Sequence, residues 1–182
     1  MTTRQAAAAR TRTSLIDAGL RLAERTGLSG LSINLLVEEA QVSKGTFFHH
    51  FGDRASYVLA LHREFHDRLL TEIRKATAEL EPGRRRLVVA ANTYLDGCLR
   101  DRGVRALLLE ARADPLIAEE IGTRNAGSAA IVQADFKAMK WPRPYECAQL
   151  WVAMTAEAAL LELKAGKRNA AVRAALARFT ES

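Results

Sequence analysis

Ser32-Ile-Asn-Leu-Leu-Val-Glu-Glu-Ala-Gln-Val-Ser-Lys-Gly-Thr-Phe-Phe-His-His-Phe51 decides the reading of this chain. The stretch divides around Gln41–Val42 into two short pieces, 32–40 and 43–50, each with apolar residues at helical spacing. Ser43 stands at the start of the second piece, where a short polar side chain caps a helix N-terminus. Two short helices joined by a tight turn are the frame of a helix-turn-helix, whose second helix enters the DNA major groove with its N-terminal residues facing base edges. Leu36, Val42 and one of Phe47 or Phe48 supply the apolar anchors that hold the two helices at their crossing. Lys44 and Thr46 fall in the first turn of the second helix, within reach of bases or phosphates, and Gly45 lets the backbone come close.

Outward from that stretch the apolar residues keep a spacing of three and four, and no alternation of period two appears. Upstream, Leu15, Ala18 and Leu22 form one stripe, with Gly27 expected as the C-terminal cap. Downstream, Asp53 reads as the N-cap of a long helix with the stripe Val58, Leu61, Phe65, Leu69 and Ile73, stopped by Pro82-Gly83. Leu87, Val88, Ala91, Leu95 and Cys98 mark the next helix, and Gly103 opens a short leucine-rich one. Asp114-Pro115 starts a further helix, weakened by Gly122 and Gly127 and broken at Trp141-Pro142-Arg143-Pro144. Two last helices are expected over about 145–164 and 169–180, split near Gly166. The expected fold is all-α, about nine helices. Residues 1–54 form a three-helix DNA-binding domain with a helix-turn-helix, and 55–182 a helical regulatory and dimerisation domain.

Composition narrows the function classes. The 182 residues are 48% hydrophobic, which fits a globular chain able to bury a core. No run of 18 apolar residues occurs, and the N-terminal Met1-Thr2-Thr3-Arg4-Gln5 lacks the apolar stretch of a secretory signal, so a cytoplasmic location is expected and no membrane partner. Cys98 and Cys147 lie far apart and form no CxxC pair, which suits reduced core residues. The formal net charge of +6 favours a polyanionic partner, although residues 1–54 carry only seven basic against five acidic side chains. There is no nucleophile elbow, no metal-ligand spacing and no Gly-rich phosphate loop, which argues against an enzyme, a metal site or a cofactor.

From about Thr11 to Leu61 the chain resembles the DNA-binding domain of the TetR (tetracycline repressor) family. The resemblance rests on an amphipathic first helix, Ser32, Val42-Ser43-Lys44-Gly45-Thr46, two aromatics, His49-His50-Phe51 and Asp53-Arg54. It implies that Ser32 caps the second helix and touches a phosphate, and that Asn34 contacts base or backbone. It also implies that Lys44, Gly45 and Thr46 front the recognition helix, that His50 points to phosphate, and that Arg54 stands in for a phosphate-pairing lysine. Three positions depart from the family pattern: Gln41 where glycine is usual in the turn, Val37 where alanine is, and Phe48 where a tyrosine commonly bonds phosphate.

Other features keep more than one reading each. His49-His50 point about 100° apart on a helix, which suits phosphate contact or packing better than shared metal ligation. His62 and His66, spaced i, i+4, are pocket lining, helix surface or core, with metal the weakest option. Arg84-Arg85-Arg86 is a solvated charge run or a DNA grip. His62, Phe65, His66, Tyr94, Cys98, Arg112, Trp151 and Met154 are candidates for a ligand cavity, and equally ordinary core. Trp151, Val152, Thr155, Ala158, Ala159, Val172, Leu176 and Phe179 form stripes on the last two helices. Those stripes pair across a two-fold axis, as the resemblance also implies, or belong to the chain's own core.

Taken together, the expectation is a homodimeric regulator of transcription that binds a palindromic operator in double-stranded DNA. It acts most simply as a repressor released by an unknown small apolar molecule. The alternatives are an activator of the same fold and a helical interaction module without DNA binding.

Overall fold

The computed structural model describes residues 3–26 and 30–181. Gly27, the expected cap of the first helix, lies outside the described residues. Among them are nine α-helices and no strand: α1 (Thr3–Thr26), α2 (Ile33–Glu39), α3 (Lys44–Phe51), α4 (Arg54–Thr77), α5 (Arg84–Arg100), α6 (Arg102–Glu110), α7 (Pro115–Ala138), α8 (Pro144–Ala165) and α9 (Ala170–Arg178). A 3-10 turn, Ala111–Ala113, precedes α7. None of the described helices is long and apolar enough to cross a membrane.

Helix boundaries follow the local chemistry. Asp53 accepts from Ser56 N–H at 2.7 Å and so caps α4; Asp114 does the same for Leu116 at 2.9 Å, with Pro115 in the first turn of α7. Asn169 caps α9 through bonds to Ala171 and Val172 N–H. Gly122 and Gly127 leave α7 unbroken. It ends in a Schellman turn instead, with Trp141 N–H on Phe136 O at 3.0 Å and Lys140 in the left-handed region, φ 59°. The Phe136 and Trp141 rings, 5.4 Å apart, close that turn with an apolar contact.

Two compact units partition the chain, Met1–His66 with Arg102–Ala118, and Asp67–Asp101 with Glu119–Ser182. The compact units interleave along the chain and do not divide at residue 54, since α6 joins the N-terminal helices. In the first unit, Leu15, Ile16, Ala18 and Leu22 of α1 are buried with Leu36 of α2, Phe47 of α3, Leu61 of α4 and Leu107 of α6. Glu24 of α1 accepts from the Gly103 and Val104 N–H groups at 3.1 and 3.0 Å, satisfying donors that the start of α6 cannot pair internally.

In the second unit, Leu69, Leu87, Leu95, Phe136, Trp151 and Leu176 are buried. Two buried carboxylates organise the polar contacts. Asp135 takes a two-pronged bond from Arg86 at 2.7 and 2.8 Å and the Gly83 N–H at 2.8 Å. Glu162 takes Arg173 at 2.8 and 2.7 Å and the Asn169 N–H at 2.8 Å, and Arg173 reaches on to Asp96 at 2.6 Å. Burial pushes the Glu162 carboxyl up, but the Arg173 guanidinium and the Asn169 N–H outweigh it and hold the group below its ordinary range. In the arginine run at 84–86, Arg86 is held by Asp135, the exposed Arg84 pairs with Glu181, and Arg85 is exposed.

Candidate nucleic-acid interface

The two short helices expected from Ser32 to Phe51 are α2 and α3, and their ends are built by side chains of the motif itself. Ser32 accepts from Leu35 N–H at 3.2 Å and caps α2. Ser43 accepts from Thr46 N–H at 3.1 Å and caps α3. Between them α2 closes in a Schellman turn, Val42 N–H to Val37 O at 2.9 Å and Gln41 N–H to Glu38 O at 3.1 Å. Gln41 therefore carries φ 55°, the left-handed conformation that glycine would adopt without strain. The non-glycine residue costs about 1 kcal/mol, and the turn forms regardless.

α3 is held from behind by aromatic rings. Phe47 is fully buried, 5.1 Å from Tyr57 of α4 and 5.5 Å from Phe51. Of the two anchors open from sequence, the structure takes Phe47; Phe48 is 47% exposed and stacks edge-on against it. Tyr57 is buried and donates its hydroxyl to Leu15 O of α1 at 2.8 Å. Burial also pushes its pKa up, so the donor stays protonated. Gly19 makes room for that hydroxyl, since a Cβ there would lie 2.0 Å from it. Sequence spacing singles out neither Gly19 nor Tyr57. A signal exists all the same: glycine inside an amphipathic helix costs about 1 kcal/mol against alanine, so it marks a close approach.

With its back fixed, α3 turns its first residues outward. Lys44 and Gly45 are exposed, and a Cβ on Gly45 would meet nothing nearer than Ser43 Oγ at 3.7 Å. Thr46 is half-buried and shares a hydroxyl bond with Ser43 at 2.9 Å, so its side chain is already oriented. Asn34 and Ser32 are exposed at the start of α2. His49 is exposed and His50 half-buried. Burial, then the positive charges of His49 and Arg12, lowers the His50 pKa from its ordinary 6.5. Arg54 is exposed, and its Nε donates to Leu31 O at 3.2 Å, tying the start of α4 to the turn before α2. Arg21 and Arg25 of α1 both hold Glu39 of α2, at 3.0 and 2.8 Å, and lower its pKa, the Arg25 bond most.

The expected cavity residues fall in both compact units. His62, Phe65, His66 and Arg112 belong to the first unit, Tyr94, Cys98, Trp151 and Met154 to the second. His62 and Phe65 are buried, and the His62 and His66 rings lie 4.4 Å apart. Arg112 is exposed on the 3-10 turn. The expected dimer stripe also needs correction. Trp151 (3% exposed), Thr155, Ala158, Ala159 and Leu176 are buried inside the protomer, so they pack its own core and present nothing to a second copy. Val152 and Val172 are half-buried, and only Phe179, at 60%, is open. The outward apolar residues of α8 lie on the opposite side of the helix, Leu150 at 64% and Leu161 at 43%, with Ala153 between them. The physical reason is that α8 has apolar residues almost all round, so sequence spacing alone does not say which face is core.

Residues 15–61 match the model of a family described as bacterial regulatory proteins, tetR family. Two curated relatives are the HTH-type transcriptional regulators BetI of Paraburkholderia phytofirmans and Paraburkholderia phymatum, each 36% identical over 84 residues. The match takes in 44% of this chain and 43% of each relative, so it spans under half the length of either. Among solved structures, a transcriptional regulator from Rhodococcus sp. Rha1 superposes with a TM-score of 0.79 at 23% identity, covering 93% of both chains. The multidrug binding protein EbrR, complexed with imidazole, gives 0.76 at 21% identity over 94% of this chain and 95% of its own. Escherichia coli NemR in its reduced form gives 0.73 at 18% over 93% and 95%. At such identities the likeness establishes the fold.

Proposed function

We propose that this chain, whose N-terminal domain belongs to the tetR family of bacterial regulatory proteins, is a homodimeric, sequence-specific DNA-binding repressor released by a small molecule. The observation that carries the reading is the opposite fate of the two faces of α3. Phe47 and Phe51 are sealed in the core while Lys44 and Gly45 stand in solvent, on a helix whose start is capped by Ser43. A helix so presented fits a major groove, with Lys44, Thr46 and Asn34 toward base edges and Ser32, His50 and Arg54 toward phosphates.

Two heads bound to successive turns of a palindrome, about 34 Å apart, require a two-fold dimer. The exposed Leu150 and Leu161 of α8, with the exposed Glu157 between them, and Phe179 at the end of α9 are the apolar residues open to a second copy. A ligand that binds better to conformers whose heads miss that spacing shifts the population off the operator. The multidrug-binding neighbour of the same fold supports a small-molecule effector.

Selection of duplexes from a random pool, followed by sizing of the selected complex, tests the proposal. Enrichment of an inverted repeat bound by two protomers is expected. A pool that remains random after selection would remove sequence-specific regulation.

A further inference from the structure

The first half of α1 buries no residue in the fold. The buried face of this helix begins at Leu15; from Thr3 to Ser14 its residues are exposed or half-exposed. That segment carries Arg4, Arg10 and Arg12, and no acidic residue occurs before Asp17. Among the described residues no ion pair engages any of the three. Arg12 touches the fold, over the Phe51 ring, while Arg4 and Arg10 have no such contact among the described residues. An unpacked stretch of helix gains no burial energy, and a cation near its N-terminus opposes the macrodipole. Ala6 to Ala9 keep the segment helical by propensity.

The rest of the domain is not basic. Residues 15–54 hold four basic side chains, Arg21, Arg25, Lys44 and Arg54, against five acidic ones, Asp17, Glu24, Glu38, Glu39 and Asp53. Arg21 and Arg25 are moreover occupied by Glu39. The helix-turn-helix without the arm is thus net negative, a poor match for a phosphate polyanion. Geometry puts the arm's root beside α3. The Arg12 guanidinium lies 5.2 Å from the centre of the Phe51 ring, and its charge contributes to lowering the pKa of His50. Eight residues back along the helix, Arg4 lies about 12 Å further out and about 80° round the axis, on the same side.

We infer that the N-terminal half of α1 is a second DNA-contacting element, in which Arg12 and Arg4 bind phosphates of the duplex backbone next to the groove that α3 occupies. The inference rests on the proposed DNA binding and names the source of its electrostatic grip. Both arginines neutralise backbone charge without reading bases, so they strengthen binding to every sequence alike.

The test is the salt dependence of binding for the wild type, Arg4→Ala/Arg12→Ala and Arg4→Lys/Arg12→Lys, each on the selected operator and on random duplex. Alanine favours helix, so the fold should persist, checked by coincident thermal melts. For the alanine pair, the plot of log affinity against log salt should be shallower by about 1.8 per bound head, about 0.9 for each phosphate left unneutralised. The lysine pair should restore the slope, and the operator-to-random ratio should stay within about twofold of wild type throughout. An unchanged slope in the alanine pair, a failure of lysine to restore it, or a changed ratio overturns the arm while leaving the proposed regulator in place. A wild type with no affinity for either duplex overturns both.

Discussion

Gly45 is the residue whose presence is hardest to explain by folding alone. It sits in the first turn of α3 with open space where a side chain would go. Glycine inside a helix costs about 0.5–1 kcal/mol relative to alanine, so Gly45→Ala should leave the protein as stable or slightly more so. If the backbone approaches DNA there, the same change weakens operator binding by tenfold or more, a separation that thermal melts and binding titrations read directly. A loss of stability in step with affinity would instead make Gly45 structural. His50 makes a second case. Its lowered pKa leaves the free imidazole uncharged at neutral pH, and a neighbouring phosphate raises it again. Binding then takes up a proton, so affinity climbs as pH falls from the raised pKa of the complex to the lowered pKa of the free protein, by at most about tenfold per unit for each proton, and levels off below it. His50→Gln should flatten that part of the profile; an identical profile would take His50 away from phosphate.

Between helices, Gly19 and Tyr57 set how α1 and α4 meet, and through Phe47 and Phe51 they set where α3 lies. Gly19→Ala forces the Tyr57 ring to move, because the added Cβ falls 2.0 Å from its hydroxyl. Overpacking of this kind costs about 1–3 kcal/mol, and Tyr57→Phe, which drops only the bond to Leu15 O, about 1 kcal/mol. Denaturant melts should rank the two in that order, and the reverse order would mean that the ring relaxes freely. The elements themselves were legible because their signals are local: Ser32, Ser43, Asp53 and Asn169 each cap the helix they precede. The place of the turn at Gln41–Val42 follows from the spacing of α2 and α3, and its strained residue from the family resemblance, which has glycine at Gln41. Packing between distant segments left no such mark. Nothing near Glu162 says that Arg173 will seal it, and nothing near Arg86 names Asp135.

At the scale of the whole molecule, local patterning ceased to decide. The expected dimer stripe ran along the side of α8 that the protomer uses for its own core, and α6 joined the N-terminal helices instead of extending a separate body. The first follows from a helix, α8, whose apolar residues do not mark a single face; α6 has one apolar face, and nothing in its own sequence says which neighbour that face meets. The exposed set Leu150, Leu161 and Phe179 gives the corrected prediction. Leu150→Glu/Leu161→Glu should sediment as a folded monomer with operator affinity reduced at least a hundredfold. A dimer unaffected by both charges would move the interface elsewhere. The central claim is that the first turn of α3 reads bases, and titration of Lys44→Ala against operator and scrambled duplex tests it most directly. Base reading predicts a loss of about 1–3 kcal/mol on the operator and a clearly smaller one on the scrambled sequence. Equal losses on both, or none on either, would contradict it.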